Sequence, residues 1–117
     1  MATLQTPLAG LEEYLSAHVV KVVGDAAGRA LYFSRAPIPA AGHGIDPGVA
    51  WQSGFRHLGL YAYRVASLRR LATAPACRLE QLEKLEQLRA LWLGIAIGVA
   101  TAGQLPGPEV DTPEDLE

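Results

Sequence analysis

The chain has 117 residues, of which 50% are hydrophobic and 19% are charged. These proportions predict one globular unit with a modest core, and they argue against disorder and against a second domain. The net charge of −2, with no run of Lys and Arg, argues against a nucleic-acid partner.

The first half of the chain predicts a short helix, a β-hairpin and a long loop. Residues 11–17 (LEEYLSA) are typical of a short helix, and residues 18–23 form a β-branched strand. The turn at 24–28 joins that strand to a second one at 29–34, which makes a hairpin with a five-residue loop. Residues 35–54 hold three prolines and four glycines, so we expect a long loop there.

The second half predicts one strand, two helices and a further strand after the glycines of LWLGIAIGVATAG. The alternating segment 54–64 is typical of a strand, and residues 65–72 form a short helix that stops before Pro75. A longer helix is predicted over 78–93. Together these elements indicate an α/β fold with a mixed sheet, a β-hairpin and flanking helices.

Both ends of the chain look like cuts through a larger fold. The chain opens on a strand-like segment, MATLQTPL, and it closes on a helix start in which Thr112 is the N-cap and Pro113 the first helical residue. Only about one turn follows, and a helix that short is stable only if it docks on other structure.

One predicted strand places polar groups where aliphatic side chains are usual. In GFRHLGLYAYR the residues Phe55, His57, Gly59, Tyr61 and Tyr63 alternate onto one face. At ~3.3 Å per residue the imidazole and the first phenol are about 13 Å apart, and the glycine leaves room between them. Taken alone, the histidine is either a satisfied structural residue or a ligand-binding one.

The predicted helix over 78–93 carries a leucine at every third position from 79 to 91. Three residues turn an α-helix through about 300°, which is about 60° short of a full turn. The leucines therefore wind around the helix, and other structure must cover it on more than one side. Glu86 lies at helical spacing from Leu82 and Leu93, which places its carboxylate on an apolar face. Either its stem packs while its head reaches water, or the helix aims the carboxylate into a polar pocket.

The number of cysteines and the length of the apolar stretches indicate where in the cell the protein is located. The single Cys77 excludes an intramolecular disulfide and a cysteine-based zinc site, and its surroundings favour an inert thiol over a catalytic one. The longest apolar stretch, residues 91–103, is shorter than the ~20 residues that span a bilayer. The N-terminus lacks the pattern of a secretory signal. We therefore expect a cytoplasmic protein without a membrane partner.

Five motifs identify a family resemblance: KVV, ALYFSRAPIP, FRHLGLYAYR, LEQLEKLEQLRALWLG and VDTPEDLE, in this order. They resemble the C-terminal half of the 3-deoxy-manno-octulosonate (Kdo) cytidylyltransferases, or CMP-Kdo synthetases, over nearly the whole chain. The resemblance implies the C-terminal portion of a Rossmann-like fold of the nucleotide-diphospho-sugar-transferase type. Residues 1–117 would then be one sugar-binding and dimerisation unit, with the N-terminal nucleotide-binding half absent.

The resemblance also implies an activity and its small-molecule partners. Such enzymes couple CTP to Kdo with Mg²⁺, release pyrophosphate and make the CMP-Kdo used for lipopolysaccharide, and they dimerise through this half. Because no glycine-rich phosphate loop is present, we expect the isolated chain to be inactive. The alternative is a non-catalytic dimerisation or binding module, including a degenerate paralogue.

Four residues are implied by the resemblance to contact the sugar. His57 and Tyr61 match the histidine and tyrosine of the family's sugar site, and Glu86 and Gln87 match its glutamate and glutamine on the long helix. Arg35 is a fifth candidate, either as an anion contact or as a surface charge at the end of a strand.

The resemblance implies one metal ligand. Asp111, in VDTPEDLE, matches one of the two aspartates that hold Mg²⁺ in the family. Because it directly precedes a helix N-cap, the alternative is that it forms a local turn.

Overall fold

A five-stranded mixed sheet organises residues 1–102, the part of the chain that the computed structural model describes. The spatial order of the strands is β3-β2-β4-β1-β5. The pair β1–β5 is parallel and the other neighbours are antiparallel, as predicted for a mixed sheet. The strands are β1 (Ala2–Pro7), β2 (Lys21–Gly24), β3 (Ala30–Ser34), β4 (Phe55–Ala62) and β5 (Gly98–Thr101).

Short helices flank the sheet. The helices predicted near the start of the chain and after β4 are confirmed, with ends shifted by one or two residues. The predicted long loop is confirmed, although it contains one short helix and a 3₁₀ turn at Trp51–Ser53. No helix within residues 1–102 is long and apolar enough to cross a membrane. The helices are α1 (Leu11–Leu15), α2 (Pro47–Ala50), α3 (Val65–Thr73), α4 (Arg78–Glu83) and α5 (Gln87–Trp92).

The predicted hairpin is confirmed, but its first strand begins later than the β-branched pattern indicates. β2 starts at Lys21, whose buried ammonium donates hydrogen bonds to the carbonyls of Ser16, Val19 and Arg35 at 2.6 to 2.7 Å. Because the chain folds around this ammonium, residues 16–20 turn instead of extending the strand. Burial lowers the pKa of Lys21, against the attraction of the nearby Glu83 carboxylate.

The prediction of one helix over 78–93 is wrong. The helix breaks at Lys84, whose left-handed backbone (φ 59°) ends α4, and α5 begins three residues later. Arg35 completes this break from the end of β3: its Nε donates to the carbonyl of Glu83 at 2.9 Å, and Nη2 donates to that of Lys84 at 3.2 Å. These bonds satisfy carbonyls that a helix end leaves unpaired.

The Glu83 carboxylate holds the same break against the sheet. It accepts hydrogen bonds from the Ser34 hydroxyl at 2.6 Å, the Arg35 backbone N–H at 3.1 Å and the Tyr32 hydroxyl at 3.3 Å. All three donors lie in β3 or directly after it. Together with the hydrogen bonds from Arg35 to the carbonyls of Glu83 and Lys84, these contacts offset the helical preference of the sequence.

The break also changes the position of Glu86. Its predicted place on an apolar face is wrong: Glu86 is exposed and directly precedes α5. Leu85 and Leu88 on either side of it are buried, whereas Leu82 is 64% exposed. The leucines are therefore divided between the core and the surface by two short helices, which removes the need to cover one long helix all round.

An ion pair joins α4 to α5. Arg89 binds Glu80 through two hydrogen bonds, from Nε at 2.6 Å and from Nη2 at 2.8 Å, and Glu80 is buried. The third guanidinium nitrogen of Arg89 donates to the carbonyl of Leu71 at 3.1 Å, which attaches α3 as well. The paired arginine lowers the pKa of Glu80, so the carboxylate stays ionised.

A glycine turn joins the broken helix to β5. α5 ends in a Schellman motif in which Gly94 (φ 80°) donates to the carbonyl of Leu91, and Ile95 donates to that of Ala90. The turn sends the chain back into β5, as the glycines predict.

The core lies between β2, β3 and the broken helix. Its buried residues are Val22, Ala30, Phe33, Leu85, Leu88, Ala90, Ile95 and Ile97. The helix predicted from Thr112 lies outside the described residues.

We predict that Glu83→Ala destabilises the chain by about 2 to 4 kcal/mol, because three donors lose a charged acceptor. Urea unfolding monitored by circular dichroism measures this free energy. The matched control is Gln81→Ala, an exposed residue of α4 whose side chain has no hydrogen-bond partner among residues 1–102. It should change stability by less than about 0.5 kcal/mol. Equal effects of the two substitutions would contradict the role given to Glu83.

Candidate functional site

A row of four aromatic rings runs from the core to the surface along β4. The ring of the buried Phe33 meets His57 edge-on at a centroid distance of 4.8 Å. His57 contacts Tyr61 at 5.4 Å, and Tyr61 contacts Tyr63 at 5.8 Å. The side chains that the strand alternation places on one face are therefore in mutual contact.

The predicted separation of about 13 Å between His57 and Tyr61, with room for a ligand between them, is wrong for the side chains. A β-bulge explains the difference. Thr3 of β1 pairs with Tyr61 and the next residue, Leu4, pairs with Leu58, so two residues of β4 have no partner. The strand bends there and the two rings close on each other.

His57 is half-buried and hydrogen-bonded. Its Nε2 lies 2.9 Å from the hydroxyl oxygen of Thr3 on β1. Burial lowers the pKa of His57 to about 4, so the imidazole is neutral near pH 7. A neutral imidazole has one donor and one acceptor nitrogen, which suits the recognition of hydroxyl groups.

A cavity of about 560 Å³ lies between the end of β4, α3 and the junction of α4 with α5. The structure brings three of the predicted sugar contacts, Tyr61, Glu86 and Gln87, together in its wall. His57 stands behind Tyr61 in the aromatic row and is not part of that wall. The lining residues are Met1, Tyr61, Tyr63, Leu68, Leu71, Ala72, Lys84, Leu85, Glu86, Gln87 and Arg89.

The two basic side chains that line the cavity, Arg89 and Lys84, differ in whether they are paired within residues 1–102. The guanidinium of Arg89 is occupied by Glu80 and by the carbonyl of Leu71. Lys84 is exposed and makes no salt bridge with any of residues 1–102, which leaves its ammonium open to an anionic ligand. Burial, together with the nearby Tyr63 and Glu86, raises the pKa of Tyr61 to about 12, so its phenol stays protonated and can donate.

Arg35 does not reach the cavity. All three of its guanidinium nitrogens donate to backbone carbonyls, those of Ala17, Glu83 and Lys84. Of the two alternatives for Arg35, neither describes this arrangement, because the side chain ties the helix break to the end of β3. Its predicted contact with the sugar is therefore replaced by an indirect role, in which it positions the segment that carries Glu86.

Cys77 does not line the cavity. Cys77 is buried and directly precedes α4, where its backbone N–H donates to Glu80 at 3.0 Å. Asp111 lies outside the described residues. Among residues 1–102 no group of three or more His, Cys, Asp or Glu side chains could hold a metal ion.

Two residues of the site are missing from the sequence predictions. Lys84 enters the cavity wall because the helix breaks at its own position, and no glycine or proline marks that break. Thr3 contacts His57 across 54 positions of sequence. Neither residue has a local pattern that could reveal its role, because both roles depend on the pairing of distant segments.

The chain matches the family model for cytidylyltransferases over residues 1–97. It belongs to the cytidylyltransferase family. Relatives named 3-deoxy-manno-octulosonate cytidylyltransferase include those of Halorhodospira halophila, 54% identical over 100% of this chain, and Alkalilimnicola ehrlichii, 56% identical over 99%. The chain covers 47% and 46% of those two proteins, so it spans about half the length of the curated relatives that it matches.

A solved structure gives the same result for the fold. It is CMP:2-keto-3-deoxy-manno-octonic acid synthetase complexed with CTP, which is 39% identical and superposes with a TM-score of 0.74. The likeness covers 98% of this chain and 45% of that one. The predicted resemblance and the predicted α/β fold, as part of a nucleotide-sugar-transferase-like enzyme, are confirmed.

We predict that stability falls as the pH is lowered from about 6.5 to about 4, with His57 contributing to the fall. The unfolded imidazole takes up a proton in this window while the folded one does not, so protonation favours unfolding. Urea midpoints measured across the window give the slope. His57→Gln cannot titrate and should show a shallower loss, with carboxylates accounting for what remains. Parallel curves for the two proteins would contradict a buried neutral histidine.

Proposed function

We propose that this chain carries the sugar-binding part of an enzyme that couples Kdo to CTP, giving CMP-Kdo and pyrophosphate for lipopolysaccharide synthesis. The observation that carries the proposal is the meeting of Tyr61, Glu86 and Gln87 in one cavity. The names of the relatives supply the substrate class. The volume of about 560 Å³ lies within the ~300–1,000 Å³ that is usual for small-molecule sites.

The cavity offers complementary groups to a sugar acid. The Glu86 carboxylate accepts hydrogen bonds from hydroxyls, Gln87 both donates and accepts, and the protonated Tyr61 donates. Lys84 supplies a positive charge for the carboxylate of the sugar, which would otherwise meet the negative Glu86. A ligand with many hydroxyls and one acidic group therefore fits better than a purely apolar or a cationic one.

CTP and Mg²⁺ belong to the same proposal. The solved relative is a CTP complex, which supports CTP as the second substrate. We place no Mg²⁺ site within residues 1–102, because they hold no suitable cluster of ligands. Asp111 as a metal ligand stays a prediction; a carboxylate oxygen there would suit Mg²⁺, which when bound offsets negative charge on phosphate oxygens.

The proposal also includes a cytoplasmic location and a homodimer. Several large apolar side chains of the described residues are exposed, including Trp92 at 67%, Val65 at 64% and Leu68 at 50%. Exposed apolar surface of this kind favours a second copy of the chain as its cover. Light scattering at tens of micromolar tests the dimer, and a monomer would contradict it.

The second candidate function is a non-catalytic binding or dimerisation module. It is favoured by the lack of a glycine-rich phosphate loop in the 117 residues, since holding the triphosphate in line with the sugar can account for about 7 to 11 kcal/mol of the barrier. The two candidates differ in whether this chain binds the sugar.

We predict that the 117-residue chain binds Kdo with a dissociation constant in the millimolar range, about −4 kcal/mol, and releases no pyrophosphate from CTP. Ligand-observed NMR titration measures the binding. Glu86→Ala and Lys84→Met should each weaken it about three- to tenfold, as expected for the loss of one hydrogen bond or ion pair.

Gln81→Ala is the matched control, because this residue is exposed on α4 and does not line the cavity. It should leave the affinity unchanged. Absence of any contact with Kdo would favour the non-catalytic module. Turnover by the chain alone would overturn the proposal that it is only the sugar-binding part.

A further inference from the structure

The hydroxyl of Thr3 has three polar neighbours and almost no exposure. Thr3 is 4% exposed, and its Oγ1 lies 2.7 Å from the carbonyl oxygen of Leu60 and 3.1 Å from that of Leu58. The third neighbour is Nε2 of His57 at 2.9 Å. The hydroxyl therefore sits inside the β-bulge of β4 and touches both the bulged backbone and the imidazole.

The single proton of the Thr3 hydroxyl determines whether Thr3 or His57 donates the hydrogen bond between them. A threonine hydroxyl has a single proton, and a carbonyl oxygen can only accept. The two carbonyls of Leu58 and Leu60 therefore compete for that proton, and the shorter contact indicates that Leu60 receives it. No proton is left for His57, so the imidazole must donate from Nε2–H and the hydroxyl oxygen must accept.

The opposite arrangement leaves oxygen atoms facing each other. If Nε2 accepted the threonine proton, the lone pairs of Oγ1 would meet the Leu60 oxygen at 2.7 Å with no hydrogen between them. A buried polar contact left without a proton in this way is unfavourable. The Nε2–H tautomer is therefore the one that this bulge accommodates.

The other ring nitrogen is left as an acceptor. A neutral imidazole with Nε2 protonated carries a lone pair on Nδ1. Nδ1 has no hydrogen-bond partner among residues 1–102, and the ring is half-buried, next to the cavity residue Tyr61. A lone pair in this position attracts a hydroxyl group and repels a carboxylate.

We propose that Thr3 is a positioning residue, which holds His57 in the Nε2–H tautomer so that Nδ1 accepts a hydrogen bond from a hydroxyl of the ligand. The hydroxyl contact rests on the proposed sugar-binding function, whereas the tautomer is a property of the chain alone. The two kinds of group on a sugar acid are thereby separated: His57, behind Tyr61, takes a hydroxyl, and Lys84 in the cavity wall takes the acidic group.

The test is ¹⁵N NMR of the whole chain labelled at histidine, near pH 7, first without ligand. We expect His57 to show a protonated Nε2 and an unprotonated Nδ1. Thr3→Ser keeps the hydroxyl and should keep this pattern, whereas Thr3→Val should give a mixture of tautomers. The exposed His18 and His43 are internal controls and should be unaffected by either substitution.

Addition of Kdo extends the test to the ligand. The Nδ1 signal of His57 should shift more than its Nε2 signal, and the affinity for Kdo should fall about three- to tenfold in Thr3→Val but less than about twofold in Thr3→Ser. A protonated Nδ1 in the unsubstituted chain overturns the proposal even if Thr3→Val fails to fold.

An unchanged tautomer in folded Thr3→Val overturns the role of Thr3. Bound Kdo with no change at Nδ1 overturns the hydroxyl contact. Absence of any Kdo binding overturns the proposed function and with it that contact, and this result is distinguishable because the tautomer is determined without ligand.

Discussion

The hydrogen bonds of the Glu83 carboxylate to the end of β3 are the constraint on which the candidate site depends. They hold the chain where α4 ends, and Arg35 satisfies the carbonyls that the break exposes. The left-handed Lys84 then turns the next segment toward β4. Without this break, Glu86 and Gln87 would continue along one long helix and would not face Tyr61 across the cavity.

Local patterns predict most of the fold and fail where distant residues decide. Alternation, turn residues and glycines are enough to predict β3, β4, the hairpin, α3 and the end of α5. The break at Lys84 escapes because the sequence there favours a helix, while the hydrogen bonds that oppose it come from Ser34, 49 positions away. Arg35 is misread for the same reason: its partners lie on segments that no local pattern connects to it.

Sequence patterns and the family resemblance predict residue types for the candidate site but not its geometry. Alternation correctly places His57 and Tyr61 on one face, yet the bulge that brings their rings together depends on pairing with Thr3 of β1. The family resemblance selects Glu86 and Gln87, and the structure adds Lys84 as the open charge beside them. In the proposed sugar-acid cavity, Glu86 and Gln87 face Tyr61, and all three contact hydroxyls. Lys84, from the same segment as Glu86, contacts the acidic group.

A crystal structure of this chain with bound Kdo would locate the sugar. We expect it in the cavity at the helix break, with its hydroxyls on Glu86, Gln87 and Tyr61 and its carboxylate beside Lys84. The backbone of Lys84 should remain left-handed. Density for the sugar at another surface, or a continuous helix through Lys84 with Glu86 turned away from Tyr61, would contradict the account.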